Sequence, residues 1–132
     1  MKKLLIVALL AVSATCQNQA SVQAEFPVQE TNAVIIGDQL PVDGCAAHIV
    51  LNNTTSSSDS RPFMRLPTEA TRLLMDNVIK AEVAKQPTGT LWMGSKEVTI
   101  RYRETGKTAT LTCGWGARQE VKTIDLLEVK VR

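Results

Sequence analysis

Three cysteines and a single histidine carry most of the reactive chemistry in this 132-residue chain. Cys45, Ala47, Ile49 and Leu51 fall on one face of an extended segment, and Ala109, Leu111, Cys113 and Trp115 on one face of another. Both sulfurs are expected to point inward, so a Cys45–Cys113 disulfide would join two inner faces. By chain entropy, closing so long a loop contributes about 4 kcal/mol, against a typical net domain stability of roughly 5–15 kcal/mol. A redox-active pair has less behind it, because no Cys-x-x-Cys and no helix start lies beside either thiol to lower its pKa.

Cys45-x-x-His48 also has the spacing of a Cys–His nucleophile or of two metal ligands. Residues three apart on a strand face opposite ways, which puts Cys45 toward the core and His48 toward solvent. Zinc needs further ligands that only scattered carboxylates could supply. Hydrolysis needs a base beside a nucleophile, yet the serines cluster in Asn52–Arg61, and Asp38 and Asp43 sit among turn residues, where Asp accepts local hydrogen bonds. The sequence therefore reads as a non-enzyme without cofactor or metal. A thiol- or metal-dependent protein using Cys45, His48 and Cys113 is kept as an alternative.

A binding surface fits the composition better. Aromatic residues are few, and Trp92 and Trp115 both lie in glycine-bearing loops, Leu91–Gly94 and Gly114–Gly116. Trp92, Trp115 and the nearby Arg118 are the candidate interface. The competing reading makes the loop tryptophan a plug that closes one end of a barrel.

These residues must be held by elements that follow a leader. Met1-Lys2-Lys3 and the apolar run Leu4–Val12 have the form of a secretory signal, too short to span a bilayer. Residues 1–15 are read as signal peptide, with Cys16 as a lipidated first residue; cuts after Ala14 or Ala24 also fit. Lipidation of Cys16, or its removal by the later cut, leaves an even pair of cysteines. Residues 16–32 are read as a polar tether and 33–132 as the domain. Loss of Lys2 and Lys3 brings the 15 Lys and Arg residues level with the 13 Asp and Glu. No basic run remains, so nucleic acid is not an expected partner.

Within the domain, strands are expected at Ala33–Ile36, Cys45–Asn52 and Pro62–Leu66, flanking the polar stretch Asn52–Arg61. A helix runs from a Thr68 cap to about Gln86, with Leu73, Leu74, Met75, Val78 and Ile79 on its apolar stripe. Val98–Arg103 alternates, Glu104–Lys107 is read as a hairpin turn, and Thr108–Cys113 returns. In Val121–Val131 the apolar parity changes after Leu126, as a bulge requires. The fold class is mainly β (α+β), a small antiparallel OB-like β-barrel with one helix; a helix packed on an antiparallel sheet is the alternative.

Gly44-Cys45, Leu66-Pro67, Val98-x-Ile100-x-Tyr102, Cys113-Gly114-Trp115-Gly116 and Ile124-x-x-Leu127-x-Val129 resemble a set of small secreted proteins and lipoproteins of Bacteroidota-type bacteria. The resemblance covers residues 44–131. It implies a small barrel-like exported domain and brings no catalytic residue with it.

The combined expectation is an exported protein, periplasmic or anchored at the outer membrane, touching the membrane only through lipid on Cys16. It would act as a binding or accessory module for an envelope protein or glycan, the alternative being a structural lipoprotein with no discrete ligand. Intact mass of the protein from its host membranes should show a lipid-sized increment on Cys16 and a two-proton gain on reduction. An unlipidated chain with free Cys45 and Cys113 would contradict both assignments.

Overall fold

The structure, a computed structural model, describes residues 25–52 and 63–132. The expected signal peptide, Cys16, most of the expected tether and nearly all of the Asn52–Arg61 stretch lie outside the described residues. Five strands, β1 (Val28–Ile36), β2 (His48–Leu51), β3 (Met64–Pro67), β4 (Ser95–Thr112) and β5 (Arg118–Val131), accompany one helix, α1 (Arg72–Val83). The sheet order β1-β2-β3-β5-β4 closes in a ring, because β4 also pairs with β1 from Val28↔Arg103 to Ile36↔Ser95. Residues 28–32, assigned to the tether from sequence, thus belong to β1.

The sheet is mixed, not antiparallel throughout. β3 runs parallel to β5 through Arg65↔Lys122, Leu66↔Thr123 and Pro67↔Ile124, while the other pairs are antiparallel. A parallel pair needs a crossover connection, and α1 with β4 supplies it. The helix starts later than its sequence suggests. Thr68 donates its N–H to Ile124 O (2.9 Å) and its hydroxyl to Asp125 Oδ1 (2.6 Å), so the chain docks on β5 before it coils. Thr71 takes the cap position, and its hydroxyl accepts the Leu126 N–H at 3.1 Å. Met75 and Val78 are buried; Leu73, expected on the same stripe, is exposed.

The turn expected at Glu104–Lys107 does not form. The chain continues through it as one strand, with residues 105–107 of β4 facing Thr123 alone on β5. Thr105 donates to Thr123 O (3.1 Å), and Gly106 adopts φ +72°, open to glycine without a Cβ penalty. The hairpin instead closes at Gly114–Gly116, where Cys113 N–H donates to Ala117 O (2.8 Å). A second register shift at Arg101/Tyr102 leaves Leu127 as the extra residue on β5, exposed, where the parity change predicts a bulge.

Two apolar clusters result. Ile35, Ile49, Val98, Ile100, Ile124 and Leu126 fill the ring, covered by Met75 of α1. A smaller cluster joins Leu111, Cys113 and Val121 to Cys45, Ala46, Met64 and Leu66. Met64 and Leu66 alternate with the buried Arg65 and Pro67, so this cluster lies on the outer face of the ring. Inside, Arg65 donates from Nε to Glu104 Oε1 at 3.1 Å, with side chains only 10% and 19% exposed. Burial, with Glu104's charge beside it, pushes the Tyr102 hydroxyl above its ordinary pKa. Replacing one partner of a buried pair strands the other's charge. Arg65→Leu should therefore cost about 3 kcal/mol in urea unfolding and Arg65→Leu/Glu104→Leu clearly less. Equal losses would show that packing, not the charge, sets the cost.

Candidate functional site

The disulfide lies where the β1–β2 loop meets the β4–β5 turn. Cys45 Sγ and Cys113 Sγ are bonded at 2.02 Å, across 68 residues of sequence. The two residues also form an isolated antiparallel bridge. On either side, Gly114 N–H donates to Gly44 O and Ala46 N–H to Thr112 O, each at 2.8 Å. Gly114 permits this approach because a Cβ there would lie 2.6 Å from Asp43 Cα. The bond therefore does not join two faces inside the ring. It ties the loop down over the outer-face cluster of Leu111, Val121, Met64 and Leu66, because the β4–β5 hairpin buries its odd-numbered face there, opposite the face that lines the ring.

Beside this clamp runs a groove of about 440 Å³. Val34, Ile36, Val50 and Met64 form its apolar floor, with Cys45 and His48 on its wall. Strand alternation expected Cys45 and His48 on opposite faces, with His48 in solvent. The rule fails because Cys45 precedes β2 and the chain bends at residues 46–47. His48 is 4% exposed, and its Nδ1 lies 2.8 Å from Ala46 O. A carbonyl only accepts, so Nδ1 carries the proton and Nε2 is the free acceptor of the neutral ring. The bonded Cys45 sulfur is neither a nucleophile nor a metal ligand while oxidised. Among the described residues no group of three or more His, Cys, Asp or Glu could hold a metal ion, and no helix is long and apolar enough to cross a membrane.

The candidate interface residues separate. Trp92 is buried, with its ring over Gly37 and Gly94, and belongs to the main core. Trp115 does the reverse: it is 92% exposed at the tip of the β4–β5 turn and plugs nothing. Its backbone is left-handed (φ 58°, ψ 22°), a conformation it shares among non-glycine residues only with Asp43 of the facing loop, within the described chain. Such a backbone costs a bulky L-residue roughly 1–2 kcal/mol. The short turns Leu40–Val42 and Gly114–Gly116 touch, and Val42 is also exposed. Arg118 follows, exposed, at the start of β5.

Sequence reasoning passed over the groove. Its signal was available: Ala33–Ile36 and Ile49–Leu51 are apolar at both parities, the mark of strands covered on both faces.

Burial lowers the His48 pKa below its ordinary 6.5, with the Ala46 carbonyl opposing. The unfolded chain therefore takes up a proton before the folded one does. Stability is full above the unfolded value and falls as pH drops through it toward the lower folded pKa. Urea midpoints should decline from about pH 7 to about pH 5, and His48→Phe should flatten that decline; an unchanged slope would leave the effect to other groups. Comparison with known proteins leaves this geometry to speak alone: no protein-family model, no curated protein and no solved structure matches the chain.

Proposed function

We propose that this chain is an OB-type, non-catalytic binding module, exported and held at the cell envelope by lipid on Cys16. Its partner surface is Trp115 with the neighbouring clamp. The OB reading is supported by the ring order β1-β2-β3-β5-β4, the parallel β3–β5 pair and a helix between β3 and β4. The observation that carries the function is Trp115, a large apolar side chain 92% in water, on a strained backbone, in a turn fastened by a disulfide. Strain at a displayed residue is a mark of function, since the surrounding structure must hold it there. A rigid exposed tryptophan loses little entropy on docking and is a favoured interface anchor. Exposed Val42 on the facing turn favours an envelope protein over a glycan at this surface, because it extends the apolar patch.

Crosslinking in intact envelopes tests this. The wild-type chain should capture a stoichiometric protein partner, and Trp115→Gly should lose it. Glycine relieves the left-handed strain, so the same variant should unfold at equal or higher denaturant, with a gain of up to about 1 kcal/mol. A variant that keeps its partner would put the partner surface elsewhere than Trp115, and no partner for the wild-type chain would favour a purely structural envelope protein. One that unfolds more readily would make Trp115 a structural residue.

A further inference from the structure

The two sulfurs of the clamp are not equivalent. Cys45 is half-buried and lines the groove beside the clamp, whereas Cys113 is buried and does not reach it. Gln119 Nε2 donates to Cys113 Sγ at 3.6 Å. A sulfur that accepts an amide N–H is the better leaving group, because that hydrogen bond strengthens as thiolate charge develops. An incoming thiolate therefore has access at Cys45 and a stabilised departure at Cys113.

The backbone around the bond favours its opening. The Ala46 N–H to Thr112 O and Gly114 N–H to Gly44 O hydrogen bonds flank the cysteines and leave them a non-hydrogen-bonded pair. Such pairs hold their Cα atoms about 4.5 Å apart, at the short limit of the roughly 4.4–6.8 Å that disulfides adopt. Asp43 (φ 63°) stands two residues before Cys45, and Trp115 (φ 58°) two residues after Cys113. Both backbones are left-handed, which is unfavourable for L-residues. That strain is relieved only when the loop and the turn part.

We propose that the Cys45–Cys113 bond is a site of thiol–disulfide exchange, opened at Cys45 by a dithiol of the Cys-x-x-Cys class. The reductant's thiolate bonds to Cys45 Sγ, and the electron pair of the old bond leaves on Cys113 Sγ, which then takes a proton. The reductant's second thiol loses its proton and attacks the reductant's own sulfur in the mixed disulfide. Cys45 departs as a thiolate and is protonated in turn. The chain has gained two electrons and two protons, and the reductant has become a disulfide. Loop and turn are then untied, so redox state switches the fixed display of Trp115. The chain is the substrate of this exchange, in keeping with its lack of a Cys-x-x-Cys of its own. No partner at Trp115 is required, so the two assignments stand or fall separately.

The test treats the folded full-length protein with reduced glutathione, quenches with acid, and maps the trapped mixed disulfide by mass spectrometry. Glutathione should sit on Cys45 in about tenfold excess over Cys113. Gln119→Leu should slow exchange several-fold and raise the pH at which Cys113 of the reduced chain is alkylated, a shift that a purely structural residue would not give. In dithiothreitol redox buffers Trp115→Gly, freed of its strain, should be about tenfold harder to reduce than wild type. On reduction the indole N–H resonance of Trp115 should sharpen while that of buried Trp92 stays native. The proposal is overturned by glutathione on Cys113 in place of Cys45, by exchange no faster than global unfolding, or by an unchanged rate in Gln119→Leu. Equal reducibility of wild type and Trp115→Gly overturns it as well, and loss of the native Trp92 resonance on reduction would make the bond purely structural.

Discussion

The covalent tie between Cys45 and Cys113 is the constraint on which the Trp115 end of the molecule depends. The β1–β2 loop and the β4–β5 turn have little regular structure of their own. Without the tie, Leu111, Val121, Met64 and Leu66 would form an uncovered apolar patch on the outside of the ring. A loop closed across 68 residues contributes about 4 kcal/mol on the chain-entropy estimate. That exceeds the roughly 1–2 kcal/mol for each left-handed non-glycine residue, so the clamp can hold Asp43 and Trp115 in place together.

The inside of the ring is organised by a different device. β4 is long enough to pair first with β1 and then only with β5, and the bulge at residues 105–107 marks the change. Arg65 and Glu104 meet beside it, satisfying charges that the sheet has taken out of water.

The molecule thus separates stability from display. Trp92 and Trp115 are the same residue type in similar glycine-bearing loops, yet one seals the core and the other stands in water. Trp92 is covered because its loop crosses over Gly37 at the end of β1. Trp115 stands in water at the tip of a turn whose leading flank, Cys113, is bonded to Cys45 and closed by its N–H on Ala117 O.

The amino-acid order by itself determined what is local. Alternation at Val98, Ile100 and Tyr102 specified a half-buried strand, the parity change after Leu126 specified a bulge, and the apolar stripe at Leu74, Met75 and Val78 specified a helix. Two well-placed cysteines specified a pair. These signals are legible because side-chain direction follows from backbone period alone. Tertiary structure decided the rest. A polar, glycine-bearing stretch such as Glu104–Lys107 suits a tight turn or a bulge equally, and only β5 alongside selects the bulge. The parallel β3–β5 pair, the covering of His48, the meeting of Arg65 with Glu104 and the exposure of Trp115 all depend on which distant segment lies over a given face. No period within one segment encodes that partner, so burial and charge pairing were settled only when the ring closed.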